Sequence, residues 1–403
     1  MSSATLPPAQ CILALNAGSS SIKFSVYHID QSLALGLHGK IDRIDLEGTH
    51  LIFNDPAKDQ QESLPIAEAD HAASGKFLID WLEERHVFDS VRAVGHRVVH
   101  GMAHAEPTLI TTKLVGELHH ITPYAPDHLP QEIDLIQTLH HRHPKLPQLA
   151  CFDTSFHCTM PRVARLLPIP RRYEAQGVQR YGFHGLSYSY LMKELAHLGD
   201  PAATKGRVIL AHLGNGASLA AVSDGESLDT SMGFTPASGL VMGTRSGELD
   251  PGLLAFLSSK EKMSPTMFGR MINHESGMLG ISETSSDMRD LLDQEATDTR
   301  SAEAVALFCY QAKKWIGAFS AVLDGLDTLV FSGGIGENSP QVRTRICKGL
   351  DYLGIELDEK RNAVSAAVIC KQSSRATVRV IATDEELMIA RSVCRVLGLA
   401  ASK

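Results

Sequence analysis

The feature that most restricts the fold is a pattern used twice. An apolar run from Cys11 to Leu15, the small polar turn Asn16-Ala17-Gly18-Ser19-Ser20-Ser21 and a second run from Ile22 to His28 read as a β-hairpin with a tip of small residues. The design returns as Arg207 to Leu213, Gly214-Asn215-Gly216 and Ala217 to Val222, after which Ser223-Asp224-Gly225-Glu226 turns into a third strand. Aligned, ILALNAGSSSIKF and ILAHLGNGASLAA are one hairpin placed once in each half of the chain. Solenoid repeats recur every ~20–50 residues, so a repeat this widely spaced predicts two similar lobes facing a shared cleft. A chain of 403 residues also exceeds what one hydrophobic core serves.

A third strand-and-turn unit follows. Thr328 to Phe331 reads as a buried strand entering Ser332-Gly333-Gly334-Ile335-Gly336-Glu337-Asn338, where a glycine turn should precede a helix. Strand, glycine turn and helix in that order form an edge where backbone N–H groups can reach phosphate oxygens. Neither G-x-x-x-x-G-K-[ST] nor G-x-G-x-x-G is present, so any phosphate site is of another kind. Helical periodicity is clearest over 302–323 and 385–399, the latter with an apolar stripe of Leu387, Met388, Val393, Val396 and Leu397. Thr383 with Glu386 three residues on predicts a capping box, which gives Glu386 a structural task and leaves Glu385 without one.

Several functions are excluded by composition. The net charge is −8 and no basic cluster occurs, so a nucleic-acid surface has no footprint. No apolar run reaches the length of a membrane span, and MSSATLPPAQ lacks the basic start and apolar stretch of a signal peptide, so a cytoplasmic protein is expected. The seven cysteines are scattered without a C-x-x-C pair and read as reduced thiols. His96 and His100 have i,i+4 spacing but lack the glutamate of H-E-x-x-H, which argues against zinc. His119, His120, His140, His141 and His143 read as a solvated helix and turn.

The stretches LALNAGSSSIKF, GHRVVHG, FDTSFH, RYGFHG, HLGNGAS, DTSMGFTP, GTRSGELDP, SGGIGENS and TDEELMIAR, in that order from Leu13 to Arg391, resemble the acetate kinase family. The resemblance implies an α/β chain with two similar lobes of the sugar kinase/actin-like (ribonuclease H-like) fold facing a central cleft. The expected division is residues 1–153, joined by a C-terminal helix 387–403, against a nucleotide-binding lobe 154–386. It also implies ATP- and Mg²⁺-dependent phosphorylation of the acetate carboxylate, reversible, by a homodimer. Such chemistry needs little general base, because a carboxylate already carries its charge; the difficulty is bringing two anions into line.

The resemblance assigns roles residue by residue. Arg97 and Arg245 match the two active-site arginines, suited to bidentate binding of a carboxylate or phosphoryl group, and a charge such as Arg97 in an apolar run demands a partner. His184 matches the histidine that contacts the transferring phosphoryl group, and His128 a second transition-state contact. Asp153 and Glu385 match the acidic partners of Mg²⁺, with Asn16 beside them. His212, Leu213, Gly214, Asn215 and Gly216 are expected at the ATP phosphates, together with Lys23. Gly333, Gly334, Ile335, Gly336 and Asn338 are expected at the adenosine, with Asp287, Met288 and Arg289 on the adenine side. Val99, Phe183 and Pro236 match an apolar pocket for the acid's alkyl group.

The acceptor side departs from the family. Met102 follows Gly101 where a second glycine is usual, and Leu186 and Tyr188 stand in place of a small hydroxyl residue and a histidine. In Tyr124-Ala125-Pro126-Asp127-His128-Leu129-Pro130, Asp127 and Leu129 replace the usual leucine and asparagine. A carboxylate beside the acceptor's methyl would repel an acid, so either Asp127 turns away or the pocket takes another acid. Propionate stays open, since one methylene is worth only ~1–3 kcal/mol. A non-catalytic ATP-binding module also stays open. A sugar kinase is disfavoured, because a hydroxyl acceptor needs a general base.

Overall fold

The computed structural model describes residues 10–18, 21–29, 33–45, 47–67 and 70–399. The leading MSSATLPPA, Ser19 and Ser20 of the first hairpin tip, and the expected helix end beyond 399 lie outside the described residues. Two compact units result, Met1–Ser155 with Asp384–Lys403, and Phe156–Thr383. The chain returns to the first unit at Asp384, not at 387 as expected. The reason is local: Tyr27 donates to Asp384, and Asn16 to Glu385 and Glu386.

The first unit holds strands β1 (Cys11–Ala17), β2 (Ser21–His28), β3 (Ala34–Asp42), β4 (His50–Asp55), β5 (Gln60–Pro65), β6 (Val91–Val98), β7 (Thr108–Leu109) and β8 (Gln148–Phe152). They form one sheet in the order β5-β4-β3-β2-β1-β6-β8-β7. The second unit holds β9 (Arg207–Leu213), β10 (Ala217–Ser223), β11 (Glu226–Thr230), β12 (Thr328–Ser332) and β13 (Thr377–Val380), in the order β11-β10-β9-β12-β13. The repeat seen in the sequence is therefore a repeat of topology. In each unit consecutive antiparallel strands meander, five in the first and three in the second, and the first strand is followed on its other side by two strands parallel to it.

Burial follows from that topology. Every residue of β1, β8 and β12 is buried, because strands inside such a sheet are covered on both faces and read as continuous apolar runs. In the first unit Phe24 and Phe53 pack on Trp81, with ring centroids 5.7 and 4.8 Å apart. In the second, Leu210, Ala220 and Val330 pack with Tyr188, Leu191 and Leu195 of the helix Gly185–His197.

Three helix expectations are corrected. The last helix, Glu385–Leu397, is capped by Asp384, whose side chain accepts from Leu387 N at 2.7 Å, so Thr383 and Glu386 form no capping box. Its buried face is Met388, Ile389, Ala390, Ser392, Val393 and Cys394, while Val396 is exposed. Gly95 in β6 explains the rotation: a Cβ there would meet Ile389 Cγ2 at 2.3 Å and Val393 Cγ2 at 2.8 Å, so the missing side chain admits those two residues. The long helix is Thr299–Val322, beginning before 302 because Asp298 caps it by accepting from Arg300 N and Ser301 Oγ. Finally, the glycines after β12 are not a turn before a helix but the body of the short helix Gly333–Asn338. Only Gly333 is left-handed (φ 75°), and a Cβ on it would meet Leu213 O at 2.7 Å.

None of the seven cysteines forms a disulfide, and among the described residues no helix is long and apolar enough to cross a membrane.

Candidate active site

The expected residues gather into two groups, one in each unit. In the first unit they stand where parallel strands end: Asn16 near the end of β1, Arg97 in β6 with Val99 just beyond it, and Asp153 after β8. Ligands of α/β sheets bind beyond the carboxyl ends of such strands.

The charge on Arg97 has its partner in Asp153. Its Nε and Nη2 both donate to Asp153 Oδ2, at 3.0 and 2.7 Å, and Nη1 donates to Ala17 O at 3.3 Å. Burial opposes the Arg97 charge, but Asp153, Glu385 and Glu132 together hold its pKa above the usual value. The sequence assigned Arg97 and Asp153 to separate tasks; the structure makes them one ion pair. Of the five N–H groups of a guanidinium, three are used in this way, and two remain for an anion.

Glu132 was missed by the sequence reading. It is 2% exposed on the inner face of the helix Leu129–Arg142, and both of its oxygens accept from Val99 N, at 3.2 and 3.0 Å. Burial pushes its carboxyl up to about 8 against the pull of Arg97. A signal was present: Leu129, Ile133, Ile136 and Leu139 form an apolar stripe, and Glu132 occupies a position within it. His128, the residue before this helix, is buried, and Asp127 lies half-buried in the turn ahead of it.

A hard-oxygen cluster surrounds Asn16. Its Nδ2 donates to Glu385 Oε2 and Glu386 Oε1, both at 2.9 Å. Burial pushes the Glu386 carboxyl up, exposed Lys23 pulls it down, and neighbouring Glu385 pushes it up again. Two adjacent carboxylates meeting at one side-chain amide suit a cation. Among the described residues no group of three or more His, Cys, Asp or Glu side chains is gathered for a metal. The Asn16 and Glu385 side chains offer hard oxygens of the kind a divalent metal on nucleotide phosphates takes.

His96 and His100 are buried and not paired with each other. Burial lowers both to about 4, and His96 Nε2 lies 2.7 Å from Gln148 Oε1. The surface histidines behave as expected, except that His143 pairs with Glu83 and stacks on Phe88. A separate cavity of about 680 Å³ in this unit takes in Met102, His104, Leu114 and Leu118 and none of the expected site residues.

In the second unit the group forms around the tip of the β9–β10 hairpin. Gly214 N donates to Gly216 O at 3.0 Å, closing the turn. A Cβ placed on Gly216 would meet His184 Nε2 at 3.3 Å and Arg245 Nη1 at 3.7 Å, and one on Gly214 would meet His212 Nε2 at 3.9 Å and Gly334 N at 3.8 Å. His184, His212, Arg245 and the glycine helix thus converge on one small turn. His184 sits just before a helix with left-handed φ 60°, a conformation unusual for a side-chain-bearing residue and one that functional sites store. The His184 and His212 rings stack at 4.3 Å.

The adenosine-side residues are more varied. Gly334 and Asn338 are exposed and Ile335 half-buried, whereas Gly333, Gly336 and Leu213 are buried. Buried Arg343 braces this helix by donating to Gly336 O and Glu337 O. Asp287 caps the helix Met288–Gln294 by accepting from Arg289 N and also pairs with the exposed Arg289 guanidinium at 2.6 Å. Met288 is packed inside the unit, with 3% exposure. Phe183 is buried and Pro236 half-buried. The Phe183 carbonyl is 3.1 Å from Nε2 of His157, a ring that burial lowers to about 4.

The chain matches the Acetokinase family over residues 11–391. It is 41% identical to an acetate kinase of Methylocella silvestris, with 96% of this chain and 98% of that protein aligned. Solved structures agree. A propionate kinase from Francisella tularensis matches with a TM-score of 0.88 at 36% identity, covering 95% of this chain and 98% of that one. The acetate kinase of Porphyromonas gingivalis matches with a TM-score of 0.86 at 35% identity, covering 96% and 100%.

Proposed function

The chain belongs to the acetokinase family, and from that premise we propose that it transfers the γ-phosphoryl group of ATP to the carboxylate of acetate, with Mg²⁺, giving acetyl phosphate and ADP reversibly. The observation that carries the reading is the convergence of His184 Nε2 and Arg245 Nη1 within 3.3 and 3.7 Å of one point on the Gly214–Gly216 turn. Two positive or N–H-bearing side chains above a turn without side chains are what a phosphoryl group in transfer requires.

Each group has a task. The turn and the backbone of Gly334 bind phosphate oxygens, and His184 and Arg245 stabilise the equatorial oxygens as charge redistributes. The two N–H groups of Arg97 not used by Asp153 and Ala17 hold the acceptor carboxylate. Asn16, Asp153 and Glu385 would hold Mg²⁺, which supplies charge neutralisation on the nucleotide phosphates. No residue need abstract a proton, because the acceptor is already an anion.

Val99, Phe183 and Pro236 are the positions that the family resemblance gives to the acid's alkyl group, and propionate is the second reading. The propionate kinase similarity and Asp127 both favour keeping it. Hydroxylamine trapping of the acyl phosphate, run with ATP, Mg²⁺ and a panel of short acids, tests the proposal. Hydroxamate from acetate is expected, with kcat/KM ranking acetate first. A higher value for propionate selects the second reading, and no product with any short acid refutes both.

A further inference from the structure

The back sides of His184 and His212 carry hydroxyl relays that the phosphotransfer reading does not use. Ser218 is fully buried, and its Oγ touches Nδ1 of His184 at 2.9 Å and the hydroxyl of Tyr188, itself fully buried. A serine has one hydrogen to give between these two partners. The phenol is the more acidic hydroxyl and the imidazole nitrogen the stronger base, so the order that suits both runs from Tyr188 O–H to Ser218 and from Ser218 O–H to Nδ1. A second relay repeats the plan. Thr383 Oγ1 donates to Oγ of fully buried Ser187 at 2.8 Å, and Ser187 Oγ lies 2.8 Å from Nδ1 of His212. Glu337 fixes its start by accepting from Thr383 N at 3.2 Å and Gly333 N at 2.8 Å.

We propose that Tyr188 and Ser218, together with Thr383 and Ser187, are positioning residues that hold His184 and His212 as Nε2-protonated neutral imidazoles, a matched pair of N–H donors facing the Gly214–Gly216 turn. When one imidazole nitrogen accepts, the other carries the proton. In both rings the nitrogen in contact with the serine is Nδ1, and Nε2 is the one that approaches the turn. Stacking at 4.3 Å adds to the effect: a flip of either ring would break its serine bond, and two imidazolium charges face to face would repel, beside Arg245. Tyr188 is one of the positions where the chain leaves its family's usual residue, a histidine, and both side chains can donate at that point. The consequence for turnover rests on the phosphotransfer reading; the tautomer does not.

The test uses the full-length protein with 15N-labelled histidine. Long-range proton–nitrogen correlation identifies which ring nitrogen of each histidine is protonated, in wild type, Tyr188→Phe, Tyr188→His and Ser187→Ala. Wild type should show protonated Nε2 and bare Nδ1 for both rings. Tyr188→Phe should admit the Nδ1-protonated form of His184 and lower kcat by about tenfold, the lower end of what removing a histidine's orienting partner costs. KM for ATP should stay within about twofold, and Tyr188→His should restore both tautomer and kcat. Nδ1 protonation of His184 in wild type overturns the proposal. So does a Tyr188→Phe protein with unchanged tautomer, whatever its kcat. If Tyr188→Phe does not fold, the wild-type and Ser187→Ala spectra still decide. A wild type with the expected tautomers but no acyl phosphate would refute the proposed function and leave this inference standing.

Discussion

Replacing Glu132 by glutamine should make the first unit more stable, and increasingly so as pH rises. In the folded protein burial raises this carboxyl from 4.5 to about 8. Below pH 4.5 folded and unfolded chains both keep the proton, and Glu132 carries no ionic cost. Between 4.5 and 8 the unfolded chain releases the proton while the folded one holds it, so folding takes up a proton and stability falls with rising pH. Above 8 the buried carboxylate is ionised and the full cost persists. At about 1.4 kcal/mol per pH unit the displacement corresponds to on the order of 3–5 kcal/mol. Glutamine preserves an acceptor for Val99 N and never ionises. Urea unfolding followed by Trp81 fluorescence in a Trp315→Phe background reports the first unit separately. Glu132→Gln should match its parent near pH 5 and exceed it by the stated amount near pH 8.5, with unchanged m-value. Parallel stability profiles across that range would refute the reasoning, since they would mean Glu132 is ionised at no cost in the fold.

Arg97→Lys keeps a charge but cannot span Asp153 and Ala17 with a planar fork, so kcat should fall by at least about a hundredfold with little change in KM for ATP; turnover within a few-fold of wild type would show the fork is not used. Gly243→Ala puts a Cβ 1.9 Å from Asn215 Oδ1, so the exposed Asn215 side chain must swing away, and KM for ATP should rise several-fold while the melting temperature barely moves. Arg343→Met leaves Gly336 O, Glu337 O and the Asn362 side chain without their buried donor and should destabilise the second unit by about 3–5 kcal/mol in urea unfolding. Asp127→Leu should raise kcat/KM for propionate or acetate several-fold if the side chain faces the acceptor; an unchanged acid ranking would place it away from the alkyl pocket.

The sequence by itself determined the doubled architecture and the chemical parts. Hairpins around Gly18 and Gly214–Gly216 were legible because apolar runs and small-residue tips are local signals, and both occupy corresponding places in the two sheets. Arg97, His184, His212 and Arg245 were legible as motif residues. Tertiary structure alone decided the partnerships. Asp153 lies far from Arg97 in the chain, and only the parallel pairing of β6 and β8 brings the carboxylate to the guanidinium. Thr383 and Glu386 fit a local capping pattern, but Asp384 takes the cap, while Thr383 bonds to Ser187 and Glu386 accepts from Asn16. Gly95 turned the last helix away from the stripe read in its sequence. Local spacing reports which residues can share a strand or helix face. Which buried hydroxyl or carboxylate then meets a given histidine or arginine depends on strand order and on the close approach of distant segments, which no window along the chain contains.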